Sequence, residues 1–490
     1  MNRIILVALI VIGVSGCSKG HSAEEFVDSQ VSAKEYDVSV VQLKPSEKYQ
    51  RVDGIGGGVA NYERWYCEHP NREEIFDLIF KDLEVSMLRI GNWYEKNSSA
   101  NPILAQQKVI MDAAGRRLGR DNFSVMMSNW LVTPELIDNP GVGKATLKKN
   151  EKGEYMYSEF GEWCRNTLEA YQTAGITPDY LSMMNEPDGN NSGGDKICLG
   201  YGAYHSEKAN YGKALEATYN ALKNVTDRPK LIGPEVLGIG YNTFRNYYND
   251  LNPDLLDVAA FHCYHGGNTS DYKENDRYSS AHAFISEFRN LARIVGDSKP
   301  VMMTENCSYH PSVPEDAVNI AHFISNSFCY ANATAYLHWA LLWGYDSKEA
   351  MKEGGDGCIA VESPWKSSQW TDSRKGYVVR SEFYGLKHFT KHVKPGWRRI
   401  GTECSLDEVE IVAFQAPGEK QIAVILINFS EQEQKMIRLG DMNGTYTTTV
   451  IQTDTQKESW YQVLEKADPF AEISLPEMSV TTVIIKLKAN

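Results

Sequence analysis

No pair of cysteines in this sequence stands in CxxC spacing, so a zinc ribbon and a thioredoxin-type redox centre are excluded although nine cysteines are present. No GK[ST] follows a glycine-rich turn, and Asp53-Gly-Ile-Gly-Gly-Gly-Val-Ala60 lacks the GxGxxG register and a helix start behind it, which removes the phosphate-cradle reading. Basic runs are missing and the net charge is −14, so nucleic acid and anionic membrane surfaces are not expected partners. The most apolar stretch, Ile4 to Val14, is too short to span a bilayer as a mature helix. Internal repeats and low-complexity tracts are absent as well.

The apolar stretch has another use. One early basic residue, the run itself and the small residues before Cys17 form a signal peptide, and Val14-Ser15-Gly16-Cys17 is similar to the bacterial lipobox, in which the cysteine is lipidated. Residues 18–35 then read as a tether, and the expected location is an exported bacterial lipoprotein of the outer membrane, held to the membrane only through its lipid. The eight remaining cysteines are expected to be mostly unpaired, buried thiols, because a core of this size needs no disulfides.

At 490 residues the chain has room for a barrel and a smaller partner. In Asp179-Tyr-Leu-Ser-Met-Met-Asn-Glu-Pro-Asp188 a short apolar strand runs into Asn185-Glu186-Pro187, where proline stops the ladder and holds Glu186 at the strand exit. Pro300-Val-Met-Met-Thr-Glu305 repeats the arrangement with Glu305. Two glutamates at two strand exits of one parallel barrel face each other across its mouth, which is what glycoside hydrolysis requires: one carboxyl protonates the leaving oxygen, and the other attacks the sugar carbon or activates water. Around them strands and helices alternate. Strands are expected at residues 53–60, 85–90, 123–127, 180–183, 230–235, 258–264, 300–305 and 334–339. Helices are expected near residues 102–115, 159–174, 206–224, 282–295, 315–330 and 381–392, with Asn71 in a capping box before another and Ser206 as a cap. Residues 342–375 read as a long loop. Eight strands in this rhythm predict a (β/α)8 TIM barrel, spanning residues 53–396. Beyond Gly396 short β-type runs replace the alternation, so residues 397–490 are expected to form an antiparallel β-sandwich.

Several stretches together resemble glycoside hydrolase family 30. Tyr49-Gln-Arg-Val-Asp-Gly-Ile-Gly-Gly resembles its opening motif, Met184-Asn-Glu-Pro its acid/base strand, Met303-Thr-Glu its nucleophile strand, Tyr336-Leu-His-Trp-Ala-Leu its eighth strand, and Phe383-Tyr-Gly-Leu-Lys-His-Phe-Thr-Lys-His-Val-Lys-Pro-Gly its exit into the sandwich. The resemblance implies a retaining mechanism with Glu186 as acid/base and Glu305 as nucleophile, and pre-barrel strands, residues 36–52, that join the sandwich. It also implies that Arg89 and Asn185 bond the nucleophile or the sugar 2-hydroxyl, that Tyr264 orients Glu305, that Trp339 is the platform under the sugar, and that Trp130 borders the cleft. The residues around the opening glycines and after the acid/base depart from the family pattern, so chemistry carries over better than specificity.

The expected activity is hydrolysis of a neutral polysaccharide of the xylan, β-1,6-glucan or β-1,6-galactan type by a monomer without cofactor or metal. A non-catalytic glycan-binding lipoprotein is the alternative, and a structural or adhesion role for the sandwich a third. His262 and His265 are not expected to chelate a metal, since residues three apart on a strand face opposite sides, and His262 is taken as a barrel or subsite histidine. Glu235 could contact substrate or close a salt bridge. Glu305 is expected near Arg89, and the pKa of Glu186 is expected to be raised.

Overall fold

The computed structural model describes residues 37–92, 102–140, 145–189, 196–202, 207–264, 281, 284–307, 312–347, 350, 357–363, 375–440, 442, 444–464 and 471–488. The leader, the tether and Cys17 lie outside the described residues, as does His265. Among the described residues no helix is long and apolar enough to cross a membrane.

Eight parallel strands close a barrel: β2 (Gly54–Gly58), β3 (Met87–Asn92), β4 (Ser124–Asn129), β5 (Tyr180–Ser182), β6 (Lys230–Val236), β7 (Val258–His262), β8 (Val301–Glu305) and β9 (Ala333–His338). Helices cover its outside, among them Ile103–Leu118, Tyr157–Thr173, Tyr211–Leu222, Ile285–Val295 and Asp316–Tyr330. The glycines of β2 are there for space: a Cβ on Gly56 would come within 1.9 Å of the Met87 carbonyl oxygen, and one on Gly58 within 2.2 Å of that of Trp339.

Inside the barrel the two-residue period of each strand sorts side chains into layers. Met87, Met126, Tyr180, Ile232, Val258, Ala260, Met302, Ala335 and Leu337 fill a dry lower layer. Two residues further along, Arg89, Ser128, His262 and Trp339 occupy the layer above. Two irregularities change this parity. Pairing of β6 with β7 slips between Pro234 and Val236, and pairing of β7 with β8 slips so that His262 stands opposite Glu305 rather than Thr304. A bulge re-aims a side chain, and here the two bulges turn Glu235 and Glu305 into the upper layer.

The second unit is a nine-stranded sheet in the order β18-β17-β20-β15-β14-β13-β1-β16-β19. Its members are β1 (Val38–Arg51), β13 (Arg398–Glu403), β14 (Val409–Gln415), β15 (Gln421–Asn428), β16 (Lys435–Leu439), β17 (Tyr446–Thr453), β18 (Gln462–Leu464), β19 (Ile473–Leu475) and β20 (Ser479–Leu487). The pre-barrel residues form one strand rather than two, and they enter the sandwich as expected: β1 pairs antiparallel with β13 and parallel with β16, the one parallel step among these pairs. The sheet folds over a core of Val41, Ile400, Val424, Leu426, Ile437 and Val483. Alternate residues of β14 and β15, such as Phe414, Ile425 and Ile427, pack into the large core shared with the barrel helices. Burial on both faces explains the continuous apolar run Ile422–Ile427.

Local expectations fail in three places. Asn71 makes no capping bond and donates instead to the Lys375 carbonyl. The helix after β5, expected from residue 206, begins at Tyr211 and is capped by Asn210, whose side chain accepts from Lys213 N–H; Ser206 itself lies outside the described residues. The stretch read as one loop after β9 contains a small sheet of β10 (Leu342–Tyr345), β11 (Ile359–Glu362) and β12 (Tyr377–Val379). None of the eight cysteines of the described region is in a disulfide; five are buried and three half-buried.

Candidate active site

The upper layer of the barrel holds a ring of charge. Arg89, fully buried on β3, ion-pairs through Nη1 with Glu305 Oε2 and through Nη2 with Glu235 Oε1 at 2.7 Å. Nη2 also donates to Asn185 Oδ1 at 2.6 Å, and Nε donates to Ser128 Oγ at 3.2 Å. Tyr264 donates its hydroxyl to Glu305 Oε1 at 2.8 Å, so each nucleophile-candidate oxygen has its own donor. Glu186, at the exit of β5 with a φ of 48°, hydrogen-bonds His262 Nδ1 through Oε1 at 3.0 Å and accepts from Lys196 Nζ through Oε2 at 3.3 Å. The other nitrogen of His262 lies 3.3 Å from Glu235 Oε1. One carboxylate oxygen of Glu186, one of Glu305 and a nitrogen of His262 all lie within 4.8 Å of one another.

The charges settle one another. Burial pushes the Glu186 carboxyl up, but the hydrogen bond and charge of His262, together with Lys196, outweigh it and hold the group at about 2. Burial likewise pushes Glu235 up, and the Arg89 and His262 charges bring it to about 2. His262 is pushed down by burial and raised by the Glu305 charge and its bonds to Glu186 and Glu235, to about 9. The resting site therefore contains an ionised Glu186 beside an imidazolium, which corrects the expectation of a raised Glu186: its negative neighbour Glu305 is outweighed by two cations within hydrogen-bond reach.

Aromatic faces line the wall above this ring. Trp130 and Trp339 have ring centroids 5.7 Å apart, and the Arg89 guanidinium lies 4.3 Å from the Trp130 centroid. Tyr264 and Trp343 pack against the same cluster. Tyr62 continues the wall, with its ring 5.0 Å from that of Trp343.

All the residues singled out within the described region thus meet at one barrel mouth: Arg89, Trp130, Asn185, Glu186, His262, Tyr264, Glu305 and Trp339. Arg89 and His262, both with no solvent exposure, serve the carboxylates from below and do not present a surface to a ligand. Glu235 is equally buried and closes the salt bridge that had been one of its two readings. Lys196 and Ser128 went unnoticed. A lone lysine in a polar loop and a serine within a strand carry no local signal, and only the long-range packing selects them.

Glu186, His262 and Glu305 are also the residues closest to a metal-ligand set among the described residues. Arg89 and Lys196 already bring two fixed positive charges to the same carboxylates, and a divalent ion would be repelled by both. The arrangement fits acid–base and nucleophilic chemistry: a carboxylate clamped by two donors faces, across a short gap, a carboxyl that shares a proton with a histidine.

No family model matches the chain. Among curated proteins it is similar to a glucuronoxylanase XynC of Bacillus subtilis, 22% identical over 472 residues that cover 91% of this chain and 92% of that protein. Among solved structures it is similar to the catalytic domain of a GH30 xylanase C from Talaromyces cellulolyticus, with a TM-score of 0.70, 15% identity, and 91% of this chain and 100% of that one covered. The endo-β-1,6-glucanase BT3312 superposes with a TM-score of 0.62 at 16% identity, covering 94% of this chain and 97% of that one. The resemblance to glycoside hydrolase family 30 read from the motifs therefore extends over the whole fold, a TIM barrel with an attached β-sandwich.

Proposed function

We propose that this chain is a retaining β-glycoside hydrolase of family 30 that acts on a neutral polysaccharide of the xylan or β-1,6-glucan type by double displacement. The observation that carries the reading is the pair of strand-exit glutamates at one barrel mouth, with one carboxylate oxygen of each within 4.8 Å of the other, a close approach that favours the narrower of two separations. A retaining pair stands about 5 to 5.5 Å apart, whereas an inverting pair needs roughly 6.5 to 9.5 Å to admit a water. The names of the similar proteins support xylan and β-1,6-glucan as backbone types.

In the first step Glu305, positioned by Arg89 and Tyr264, attacks the sugar carbon from one face. The bond to the leaving oxygen breaks on the other face, and that oxygen takes a proton from Glu186. The proton belongs to the Glu186–His262 pair, which carries one in the resting enzyme, so the imidazolium acts as its reservoir. In the second step a water attacks the glycosyl ester of Glu305 and Glu186 removes its proton, which the pair retains for the next cycle. Trp339 supplies an apolar face for the sugar ring at the cleavage point, and Trp130 and Trp343 extend the wall. Export with lipid attachment at Cys17 is proposed on the sequence of residues 1–17.

The test is product analysis on xylans, β-1,6-glucans and β-1,6-galactans, with the anomer of the first product followed by NMR and Glu305→Gln as the blank. Release of β-configured reducing ends by the wild type alone is expected. Release of α-configured ends would overturn the retaining mechanism. Binding to a polymer without any release would place the chain among glycan-binding proteins instead.

A further inference from the structure

Lys196 has no part in the scheme above, yet it occupies a critical place. Its side chain is 7% exposed, and among the described residues its hydrogen bond goes to Glu186. A buried ammonium is costly unless something in the site requires it. The oxygen that it holds, Oε2, is the one that His262 leaves open, since His262 bonds Oε1. Lys196 and a leaving oxygen therefore address the same edge of the same carboxyl.

The proton economy shows what the cation does there. The groups that face Glu186 are Lys196 from the loop after β5, His262 on β7, Glu305 on β8 and Asp188 two residues along the chain, with Arg89 on β3 and Glu235 on β6 behind them. Three cations meet three carboxylates when Asp188 is set aside: Arg89, His262 and Lys196 against Glu186, Glu235 and Glu305. Without Lys196 the site would be one cation short, and the proton of the pair would be held more tightly on Glu186. Burial also raises Asp188, to about 6, so this neighbour adds negative charge as pH rises and increases the need for the cation.

Resting on the retaining reading above, we propose that Lys196 is a positioning residue that holds the free oxygen of the acid/base and stabilises its anionic form, which makes the protonated Glu186–His262 pair a stronger acid for the departing sugar. In the glycosyl-enzyme Glu305 has lost its charge, and the negative neighbour that opposed ionisation of Glu186 with it. Lys196 is present in both half-reactions, so the carboxyl stays poised without a change of partners.

The test compares pH profiles of kcat/KM, which report the glycosylation half, for wild type, Lys196→Met, Lys196→Gln and Lys196→Arg. Two β-glycosides of the sugar released in the product analysis are used. One has a dinitrophenolate leaving group, which departs without a proton, and the other an unactivated alkyl leaving group. Removing a cation raises the pKa of the neighbouring acid, so the alkaline limb for the alkyl glycoside should move up by about one pH unit or more in Lys196→Met and Lys196→Gln, and return in Lys196→Arg. The limb for the dinitrophenyl glycoside should not move. A limb in the same place for wild type and both neutral variants, or one that moves equally for both substrates, would overturn the assignment. Failure of the wild type to cleave either glycoside would overturn the glycosidase reading itself, which separates the two failures. Thermal melts of the variants identify any that do not fold, and the Met and Gln forms provide independent neutral replacements.

Discussion

Two layers inside the barrel lie one strand repeat apart and follow opposite rules. The lower is built from Met87, Met126, Ile232, Met302 and Leu337, and is dry and held by shape. The upper has Arg89, His262, Glu235, Glu305 and Glu186 in the same diameter, all at or near zero exposure. A charge in such a place would cost several kcal/mol if unpaired, so the upper layer is tolerable only because every ion in it has an opposite partner within hydrogen-bond reach. The comparison teaches that the lower layer can lose an atom and relax, whereas the upper cannot lose a charge without stranding another.

Substitutions break that contrast in graded ways. The largest effect is expected at Glu305→Gln, which removes the attacking oxygen; kcat/KM should fall by about 10^4-fold or more, and because Arg89 keeps Glu235 as a partner the thermal melt should fall less than in Arg89→Met. Arg89→Met should come next, because it strands Glu235 and Glu305 together. A loss of about 3–5 kcal/mol in urea unfolding is expected, with activity lost as well. Met126→Ala, directly beneath, should cost about 2–5 kcal/mol through the cavity it leaves, and the pH profile of kcat/KM should keep its limbs because no charge has moved.

The pH dependence of stability sharpens the comparison with the smallest effect. Glu186 and Glu235 are depressed from 4.5 to about 2, so their contribution is full above 4.5 and fades as pH falls toward 2. His262 is raised from 6.5 to about 9, so its contribution is full below 6.5 and is lost as pH rises through 9. Melting temperature should accordingly plateau between these windows and fall on both sides. In Arg89→Met the acid side of the plateau should move to higher pH. In Met126→Ala the whole curve should drop without changing shape.

Much of this was legible in advance, and the reasons differ by residue. The strand–helix alternation placed the eight barrel strands because apolar periodicity and Pro and Gly punctuation act locally. Glu186 and Glu305 stood out because each ends an apolar run. Arg89, Asn185, Tyr264, Trp130 and Trp339 came through the resemblance, since nothing in their own neighbourhoods marks them. The small sheet after β9 was missed because its three strands are three or four residues long and are separated by long connections.

The amino-acid sequence by itself determined which side chains stand at the strand exits and in what order, because a run of apolar residues ended by a polar one is a strand end wherever the rest of the chain goes. Only the tertiary structure decided which way two of them face and which are ionised. Counted in twos from Met302, Glu305 should point out of the barrel, and it is the slip against β7 that turns it in. Glu186 is ionised because a histidine 76 residues away and a lysine beyond its own loop converge on it. Parity and proton affinity are properties of neighbours, and neighbours distant along the chain are chosen by the fold.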